Sequence, residues 1–354
     1  MLIMKRKTWA LLTLGALLLS LVLIAALVAF IDPFQIYHLA ENFIPPIDNN
    51  TQVYSNAGIA RSYDYDSAVV GTSVTENFRP KQMDQVLDGR FIKLCSSGGT
   101  AYNHAILMDL AFRTHDIKRI VYGFDVYSFT ARLDETKFDM PYYLYDDNLF
   151  NDVSYWFNIS VLGTYIPRCL ETWGQKPDEQ VRYKMYEWVD QYIFGPHMLE
   201  QASFTPPESR RAADAYLDIA RANIETHLLP YIQAHPETRF DIFFPPYSAA
   251  EWATMESKGT FDGLLALRGL CYDMLSGCGN VFLYDFAAET DWVLFSDLYK
   301  DPLHYNQWVN DMMVEQIAAG ENLITDAAQL AANDAAIRSW VSAQMEAGGW
   351  VFYQ

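Results

Sequence analysis

Ser73, Asp301 and His304 are the residues of this chain whose types and spacing point most directly to acyl-group chemistry. Ser73 ends a Gly71-Thr72-Ser73 turn after an apolar run, and Asp301 precedes His304 by three positions in the late part of the chain. A serine hydroxyl becomes a strong nucleophile when a base takes its proton, and a carboxylate can hold a histidine in the tautomer needed for that role. The sequence therefore predicts Ser73 as nucleophile, His304 as base and Asp301 as orienting carboxylate.

Other acidic residues and one other histidine compete for these roles. Asp301 is favoured as the orienting carboxylate because it shares a loop with His304. His104 follows a glycine pair, so it is a second histidine that could reach the same edge of the fold. The alternative carboxylates are Asp285, Asp291 and Asp297.

The spacing of apolar residues predicts an α/β fold. Short, nearly continuous apolar runs are bounded by turn residues and alternate with stretches of helical periodicity. Such runs are typical of strands buried on both faces, which form parallel sheets covered by helices. We therefore expect a parallel five-stranded sheet sandwiched by helices. The predicted strands are residues 67–70, 91–95, 118–124, 239–244 and 280–286, and the predicted helices are residues 80–87, 101–113, 208–234, 261–275 and 305–319.

The carboxyl ends of the predicted strands bring the candidate residues to one edge of the sheet, where doubly wound folds form their sites. An amide of Gly98 or Gly99 is expected to donate to an oxyanion there, although an ordinary glycine turn is the alternative. Asp125 and Tyr247 are expected to line the site, and a purely structural Asp125 is the alternative. The segments that follow strands are Ser73, Gly98-Gly99, Asp125, the loop with Tyr247, and His304.

An uncharged apolar stretch from Trp9 to Ile31 predicts a membrane-spanning helix. At about 1.5 Å per residue it is about 34 Å long, enough for a hydrocarbon core of about 30 Å. Basic residues precede it and Asp32 follows it, which orients the N-terminus towards the cytoplasm. We therefore expect residues 1–31 to be a cytoplasmic tip and single-pass anchor in the cytoplasmic membrane, residues 32–60 an irregular linker, and residues 61–354 an extracytoplasmic domain. A cleaved signal peptide is the alternative.

Net charge and cysteine spacing limit the partners. The formal charge of −19 disfavours nucleic acid and anionic lipid, because both are polyanions. The cysteines show neither a CxxC pair nor a regular ligand spacing, so no metal or other cofactor is expected. Cys271 and Cys278 are close enough in sequence to pair outside the cytoplasm, or they remain free. The full set is Cys95, Cys169, Cys271 and Cys278.

A segment rich in tyrosine, tryptophan and phenylalanine interrupts the α/β pattern at about residues 130–205. We expect it to form a helical insert or lid between the third and fourth strands. Its aromatic rings either form the insert's own core or line a groove for sugar rings, which stack on aromatic faces. The sequence leaves both possibilities open.

The order of these motifs resembles the four sequence blocks of the SGNH/GDSL hydrolase superfamily over roughly residues 65–320. The blocks are the turn of Ser73, the glycine turn after the second strand, a polar residue after the third, and the late Asp-x-x-His. The segments 71–78 and 243–248 are similar to those of membrane-anchored extracytoplasmic members that work beside membrane-bound O-acyltransferases. These members include the alginate O-acetylation proteins and the D-alanyl transfer protein of teichoic acids.

This resemblance implies a flavodoxin-like fold and a bacterial serine esterase or O-acyltransferase that acts on acyl groups of cell-envelope glycans or small acylated substrates. It also implies a membrane-bound O-acyltransferase as partner. The superfamily's third block carries Gly-x-Asn-Asp, whereas this chain has Gly123-Phe124-Asp125, so the asparagine donor to the oxyanion is missing. Asn77 or Asn103 would have to replace it. The alternatives are a catalytically inactive glycan-binding or assembly partner, and an α/β protein in which these motifs coincide by chance.

Overall fold

Five parallel strands form one sheet in a computed structural model, which describes residues 6–353. The strands are β1 (Ser67–Gly71), β2 (Phe91–Cys95), β3 (Arg119–Gly123), β4 (Arg239–Phe244) and β5 (Val281–Asp285). Their order is β2-β1-β3-β4-β5, and each neighbouring pair is parallel. The predicted five-stranded parallel sheet is therefore confirmed.

The strand order reverses direction between β1 and β3. From β1 the chain moves outward to β2, and from β3 it moves in the opposite direction to β4 and β5. In such sheets the loops at the carboxyl ends of the two strands flanking the reversal separate and leave a crevice. The segments after β1 and β3, which contain Ser73 and Asp125, therefore border that crevice.

Fourteen α-helices lie within the described residues. They are α1 (Arg6–Ile31), α2 (Gln52–Ser62), α3 (Pro80–Val86), α4 (Ala101–Thr114), α5 (Val153–Trp156), α6 (Ile166–Glu171), α7 (Glu179–Lys184), α8 (Asp214–His227), α9 (Leu229–Ala234), α10 (Ala249–Ser257), α11 (Phe261–Leu275), α12 (Thr290–Val293), α13 (Gln307–Ala319) and α14 (Ala327–Ala347).

The prediction of one long helix over residues 208–234 is wrong, because two shorter helices occupy this stretch. Leu228 separates α8 from α9 with φ −128° and ψ −56°, which is outside helical geometry. Pro230 follows in the first turn of α9, and a proline there lacks the N–H that a continuous helix would need. The chain therefore bends at this point.

The chain divides into two compact units. One comprises the chain up to Tyr63 together with Pro141–Val181, and the other comprises Asp64–Met140 and the chain from Arg182 onward. The second unit contains the whole sheet and is called the α/β unit below. The expected insert of residues 130–205 is therefore split between the two units.

The predicted irregular linker of residues 32–60 has no helix or strand up to residue 51, but its last third belongs to α2, which is largely buried. Phe34 stacks on Tyr54 at 5.1 Å and meets the rings of Tyr155 and Tyr165 at 6.3 and 4.7 Å. Aromatic residues of the insert thus share a core with the segment that follows α1. That shared core gives the N-terminal segment its folded structure.

Helix α1 contains one stretch long and apolar enough to cross a membrane. Residues 1–5 of the predicted cytoplasmic tip, including Lys5, lie outside the described residues. Asp32 follows the helix directly and is buried. Its Oδ2 accepts hydrogen bonds from the backbone N–H groups of Tyr37 and His38, and its Oδ1 accepts one from the Tyr155 hydroxyl.

Candidate active site

Ser73, His304 and Asp301 form a continuous hydrogen-bond chain in the α/β unit. The Ser73 Oγ lies 2.7 Å from His304 Nε2, and His304 Nδ1 lies 2.8 and 2.9 Å from the two carboxylate oxygens of Asp301. With the ring proton on Nδ1, the imidazole donates to Asp301 and its Nε2 accepts the serine proton. This is the arrangement required of a nucleophile, its base and the carboxylate that orients the base.

Asp301 is held by its own loop. Its Oδ1 accepts hydrogen bonds from the backbone N–H groups of Leu303 and His304 at 3.0 and 2.9 Å, and its Oδ2 lies 3.1 Å from Lys300 Nζ. Burial alone would raise the pKa of Asp301, but the hydrogen bond and charge of His304, together with Lys300, outweigh burial and hold that pKa well below its ordinary value of 3.8. The carboxylate therefore stays ionised beside the imidazole.

Among the described residues, no other carboxylate hydrogen-bonds to His304. Asp285, one of the alternative orienting residues, pairs with Arg268 at 2.5 Å and accepts a hydrogen bond from Asn333 at 2.7 Å. Asp291 uses its backbone N–H to bond Glu289 at the start of α12. The structure thus joins Asp301 to His304 and keeps Asp285 in a separate ion pair.

The loop carrying Asp301 and His304 lies well beyond β5 rather than directly after it. Tyr299 and Tyr305 form an antiparallel bridge that closes the base of this loop. The Tyr299 hydroxyl donates to the carbonyl of Pro246 at 2.7 Å, and the Tyr305 hydroxyl donates to the carbonyl of Val74 at 2.8 Å. Two buried tyrosines thus tie the histidine loop to the loop after β4 and to the serine turn.

The turn that presents Ser73 is formed by close packing around Thr75. After β1 the chain enters a 3-10 turn, Ser73–Thr75, and the Thr75 hydroxyl donates to the carbonyl of Thr72 at 2.7 Å. A Cβ at Gly71 would lie 2.6 Å from the Thr75 methyl group, and one at Gly123 would lie 2.7 Å from it. Glycine is therefore required on both neighbouring strands for Thr75 to fit there and fix the serine.

Asp125 supports the serine turn from β3. Its Oδ2 accepts a 2.7 Å hydrogen bond from the Thr72 hydroxyl, and its Oδ1 accepts one of 2.7 Å from the Tyr247 hydroxyl and one of 3.0 Å from the Tyr127 amide. Asp125 and Tyr247 are both buried. These two residues, predicted to line the site, therefore form a network behind the turn of Ser73.

Gly98 and Gly99, in the turn after β2, differ in whether the backbone N–H is already hydrogen-bonded. The Gly99 N–H donates to the Ser96 carbonyl at 2.8 Å, so it is already used within the turn. Gly98 adopts φ +60°, the left-handed conformation that favours glycine. Within the part of the chain that the structure describes, the N–H groups of Gly98 and Ser73 donate to no protein acceptor. Of the predicted glycine donors, Gly98 is the one with a free amide.

The asparagines predicted as substitute oxyanion donors have different surroundings. Asn77 is buried, its Oδ1 accepts the Trp188 N–H at 3.1 Å, and its Nδ2 has no hydrogen-bond partner among the described residues. Asn103 caps α4, where its Oδ1 accepts the N–H groups of Thr100 and Lys137 and its Nδ2 contacts Met140 sulfur. Of the two, only Asn77 has a side-chain NH₂ group with no hydrogen-bond partner among the described residues.

The structure does not place His104 at the rim. This residue lies on the buried face of α4, where its Nδ1 is 2.8 Å from the Tyr122 hydroxyl. Burial lowers the pKa of His104 to about 3, so the ring is neutral. His104 is a core residue because α4 turns this face inward after its cap at Thr100.

Trp188 contacts Ser73, His304 and Lys300, and the sequence did not identify it as a site residue. Its indole N–H donates to the Ser73 carbonyl at 3.3 Å, and its ring meets the His304 ring edge-on at 5.4 Å and 87°. Lys300 Nζ lies 4.7 Å from the Trp188 ring centroid and 4.1 Å from that of Tyr192. The aromatic composition of the insert was a signal, but it did not single out this residue.

Lys93, on β2, is a second residue near the site that the sequence did not identify, because residues 91–95 were predicted only as an apolar strand. It is fully buried, and its Nζ donates to the Glu76 carbonyl at 2.7 Å and lies 3.8 Å from Glu187 Oε1. Burial lowers the pKa of Lys93 to about 8. The Ser97 hydroxyl donates to Glu76 Oε1 at 2.5 Å. This network joins the segment after Ser73 to β2 and to the segment that carries Trp188.

Replacing Trp188 by phenylalanine is expected to lower kcat for a small ester by about three- to tenfold while KM changes little. The variant keeps an aromatic ring against His304 but loses the hydrogen bond to the Ser73 carbonyl, and such a bond contributes about 1 kcal/mol. Steady-state kinetics of Trp188→Phe beside Trp308→Phe, an exposed tryptophan of the same unit, would measure the effect. An unchanged kcat for Trp188→Phe would remove this residue from the positioning of Ser73.

The described residues contain neither a cluster that could bind a metal ion nor a disulfide bond. No group of three or more histidine, cysteine or acidic side chains is arranged to hold a metal ion there. No disulfide bond joins any of the four cysteines in the described residues, and Cys271 is buried while Cys278 is partly exposed.

No protein-family model matches this chain, and no curated protein matches it in sequence.

Proposed function

We propose that this protein is a serine esterase or O-acyltransferase that works through an acyl-enzyme on Ser73. The observation that carries the proposal is the unbroken hydrogen-bond chain from Ser73 through His304 to Asp301. A binding protein that had lost its activity would have no need to keep all three side chains in register. The distances therefore favour catalysis over the alternative of a glycan-binding or assembly partner.

The first half-reaction follows from this geometry. As Ser73 Oγ attacks the ester carbonyl, His304 Nε2 accepts the serine proton, and Asp301 stabilises the imidazolium that forms. The carbonyl oxygen becomes an oxyanion, for which the N–H groups of Ser73 and Gly98 are the free backbone donors. The tetrahedral intermediate then collapses, the C–O bond to the alcohol breaks, and His304 returns the proton to the leaving oxygen.

The second half-reaction transfers the acyl group from Ser73 to an oxygen nucleophile. His304 accepts a proton from water or from a hydroxyl as that oxygen attacks the acyl-serine carbonyl, and it returns the proton to Ser73 Oγ. Water gives hydrolysis, and a sugar hydroxyl gives an O-acylated product. His304 and Asp301 are each partly exposed, so water reaches the site unless a bound acceptor covers it.

The proposed location is the outer face of the cytoplasmic membrane, with α1 as the single-pass anchor. Helix α1 has the length and hydropathy for this role, and the preceding basic residues favour a cytoplasmic N-terminus. The resemblance to envelope-modifying SGNH/GDSL hydrolases supports acylated cell-envelope glycans as substrates and a membrane-bound O-acyltransferase as partner. The large negative charge of the chain is compatible with uncharged sugar hydroxyls as acceptors.

Capture of the acyl-enzyme tests this proposal. The full-length protein would be mixed with p-nitrophenyl acetate, quenched in acid, digested and analysed by mass spectrometry. We expect one acetyl group on the peptide that contains Ser73, and the same result with Ser160→Ala, in which an exposed serine of the other unit is removed. Ester turnover with no acetyl group on Ser73, or with the acetyl group on another residue, would contradict the proposed nucleophile.

A further inference from the structure

One face of the last two turns of α1 is covered by protein, whereas the rest of the helix is exposed. Val28 and Ile31 are buried, and Ile24 and Ala25 are partly buried. Residues 24, 28 and 31 lie on one face of a helix, and that face contacts α5 and α6. The segment of residues 153–173, which runs from α5 through a π-helix (Val161–Tyr165) and α6 to Trp173, is called the collar below.

The length of the apolar stretch fixes the depth of the collar if α1 spans a bilayer, as the proposed location requires. The uncharged stretch from Trp9 to Ile31 is about 34 Å long, and the hydrocarbon core takes up about 20 of its residues. However the helix shifts within these limits, residues 12–28 remain inside the core. Ile24 and Val28 therefore lie in hydrocarbon, and the collar that covers them must reach the same depth.

The surface of the collar has the composition expected of such a position. Ile159 is 86 % exposed, and the collar exposes more large apolar side chains around it. Trp173 contacts Phe30 of α1 at 6.3 Å and stacks on Phe43 at 6.0 Å and 11°. Tryptophan is enriched where hydrocarbon meets the headgroups. The further exposed apolar residues of the collar are Val153, Phe157 and Leu170.

Polar groups near the end of α1 are bound within the protein. Asp32 accepts three hydrogen bonds, and Tyr37 donates to Asp152 at 2.8 Å while accepting the Trp156 indole N–H at 2.9 Å. Arg168 of the collar pairs with Asp48 at 3.1 Å. Groups satisfied in this way tolerate the edge of a bilayer, where unsatisfied polar groups are costly. The apolar face can therefore meet lipid while Asp32 and Asp152 stay buried, and Arg168 and Asp48, which are 43 and 37 % exposed, stay paired with each other.

We propose that the collar is seated in the outer leaflet of the lipid bilayer, with Ile159 in contact with acyl chains and Trp173 near the headgroups. The occupant of this surface is lipid itself, because the collar continues the lipid-facing surface of α1. This seating rests on the proposed membrane location and does not depend on the chemistry of Ser73. It fixes the distance between the membrane and the unit that α1 enters.

Site-specific labelling of the full-length chain in nanodiscs tests the seating. Cys278→Ser leaves only the buried Cys95, Cys169 and Cys271 in the background. Cysteine would then replace Ile159, Ile193 or Leu17, which are 86, 80 and 56 % exposed and lie in the collar, in the α/β unit and in the middle of α1. Each single cysteine would carry the fluorophore NBD in nanodiscs of zwitterionic phosphatidylcholine, and dithionite would report its accessibility to water.

We expect the labels at positions 159 and 17 to be protected from dithionite and to emit at shorter wavelength, while the label at position 193 is reduced rapidly. If the label at position 17 were protected from dithionite while the label at position 159 was reduced rapidly, the seating of the collar would be overturned. The membrane span of α1 would still stand. Rapid reduction at both 17 and 159 would overturn the span as well. Equal protection at 159 and 193 would also overturn the proposal, because protection would then not follow the collar. Acyl-enzyme formation on Ser73 is measured separately and is unaffected by these outcomes.

Discussion

Ser73→Ala and His304→Ala are each expected to lower kcat/KM for ester hydrolysis by about 10⁴-fold or more. Ser73→Ala removes the attacking oxygen, and His304→Ala removes the only base within hydrogen-bond distance of that oxygen in the described residues. Because the two residues act as one unit, the double variant should be no slower than the slower single variant. Initial rates with p-nitrophenyl acetate would measure all three.

Circular dichroism and the midpoint of urea unfolding provide the control for these variants. Ser73 and His304 are both partly exposed, so neither substitution leaves a large cavity in the core. Ser160→Ala should retain full activity. Additive losses in the double variant, or substantial activity in Ser73→Ala, would mean that the two residues do not form one catalytic unit.

Asp301→Asn is expected to lower kcat by roughly 10³- to 10⁴-fold with little change in KM. The backbone N–H groups of Leu303 and His304 both donate to Oδ1, so the asparagine keeps its oxygen there and its NH₂ group takes the place of Oδ2. His304 Nδ1 lies 2.8 Å from Oδ1 and 2.9 Å from Oδ2, so the imidazole loses one of its two acceptors and faces a donor in its place. An NH₂ donor at that position favours the tautomer with its proton on Nε2, which cannot accept the serine proton. The same NH₂ group would lie against Lys300 Nζ.

Asp291→Asn, which changes one of the alternative carboxylates, is the matched control and should keep activity. If instead Asp291→Asn or Asp285→Asn abolished turnover while Asp301→Asn did not, the assignment of Asp301 would be wrong. The ratio of kcat values, measured at several pH values, would separate loss of the base's tautomer from a general loss of folded protein.

The lowered pKa of Asp301 also predicts how the free energy of unfolding depends on pH. Its folded pKa lies below the ordinary value of 3.8, so the unfolded chain binds the proton more readily. The stabilisation is therefore fully present above pH 3.8 and is lost as the pH falls further. The difference in free energy of unfolding between wild type and Asp301→Asn should shrink over that acidic range in urea titrations.

Much of the sheet was predictable because its signals are local. The strand residues around Val69 and Ile242 are apolar on both faces, and turn residues end each run, so a parallel sheet follows from the sequence directly. Ser73 and Asp125 could then be assigned to its carboxyl edge. The pairing of Asp301 with His304 was predictable for the same reason, since they lie three positions apart in one loop.

The rest depends on long-range packing that no local pattern contains. Trp188 reaches Ser73 only because the chain returns from the insert to the α/β unit, and His104 is buried because of the face that α4 turns inward. The Gly99 N–H is used in a hydrogen bond to the Ser96 carbonyl within the turn, so the free amide is that of Gly98. The burial of the segment after α1 could not be predicted, because its core partners, such as Tyr155, lie far along the sequence.

Labelling by a fluorophosphonate tests the central claim most directly, because this reagent forms a stable adduct only with a serine that a neighbouring base has activated. The full-length protein would be labelled, digested and analysed by mass spectrometry. The triad predicts an adduct on the peptide containing Ser73, full labelling of Ser160→Ala, strongly slowed labelling of His304→Ala and none of Ser73→Ala. Equal labelling of Ser73→Ala and wild type would contradict it.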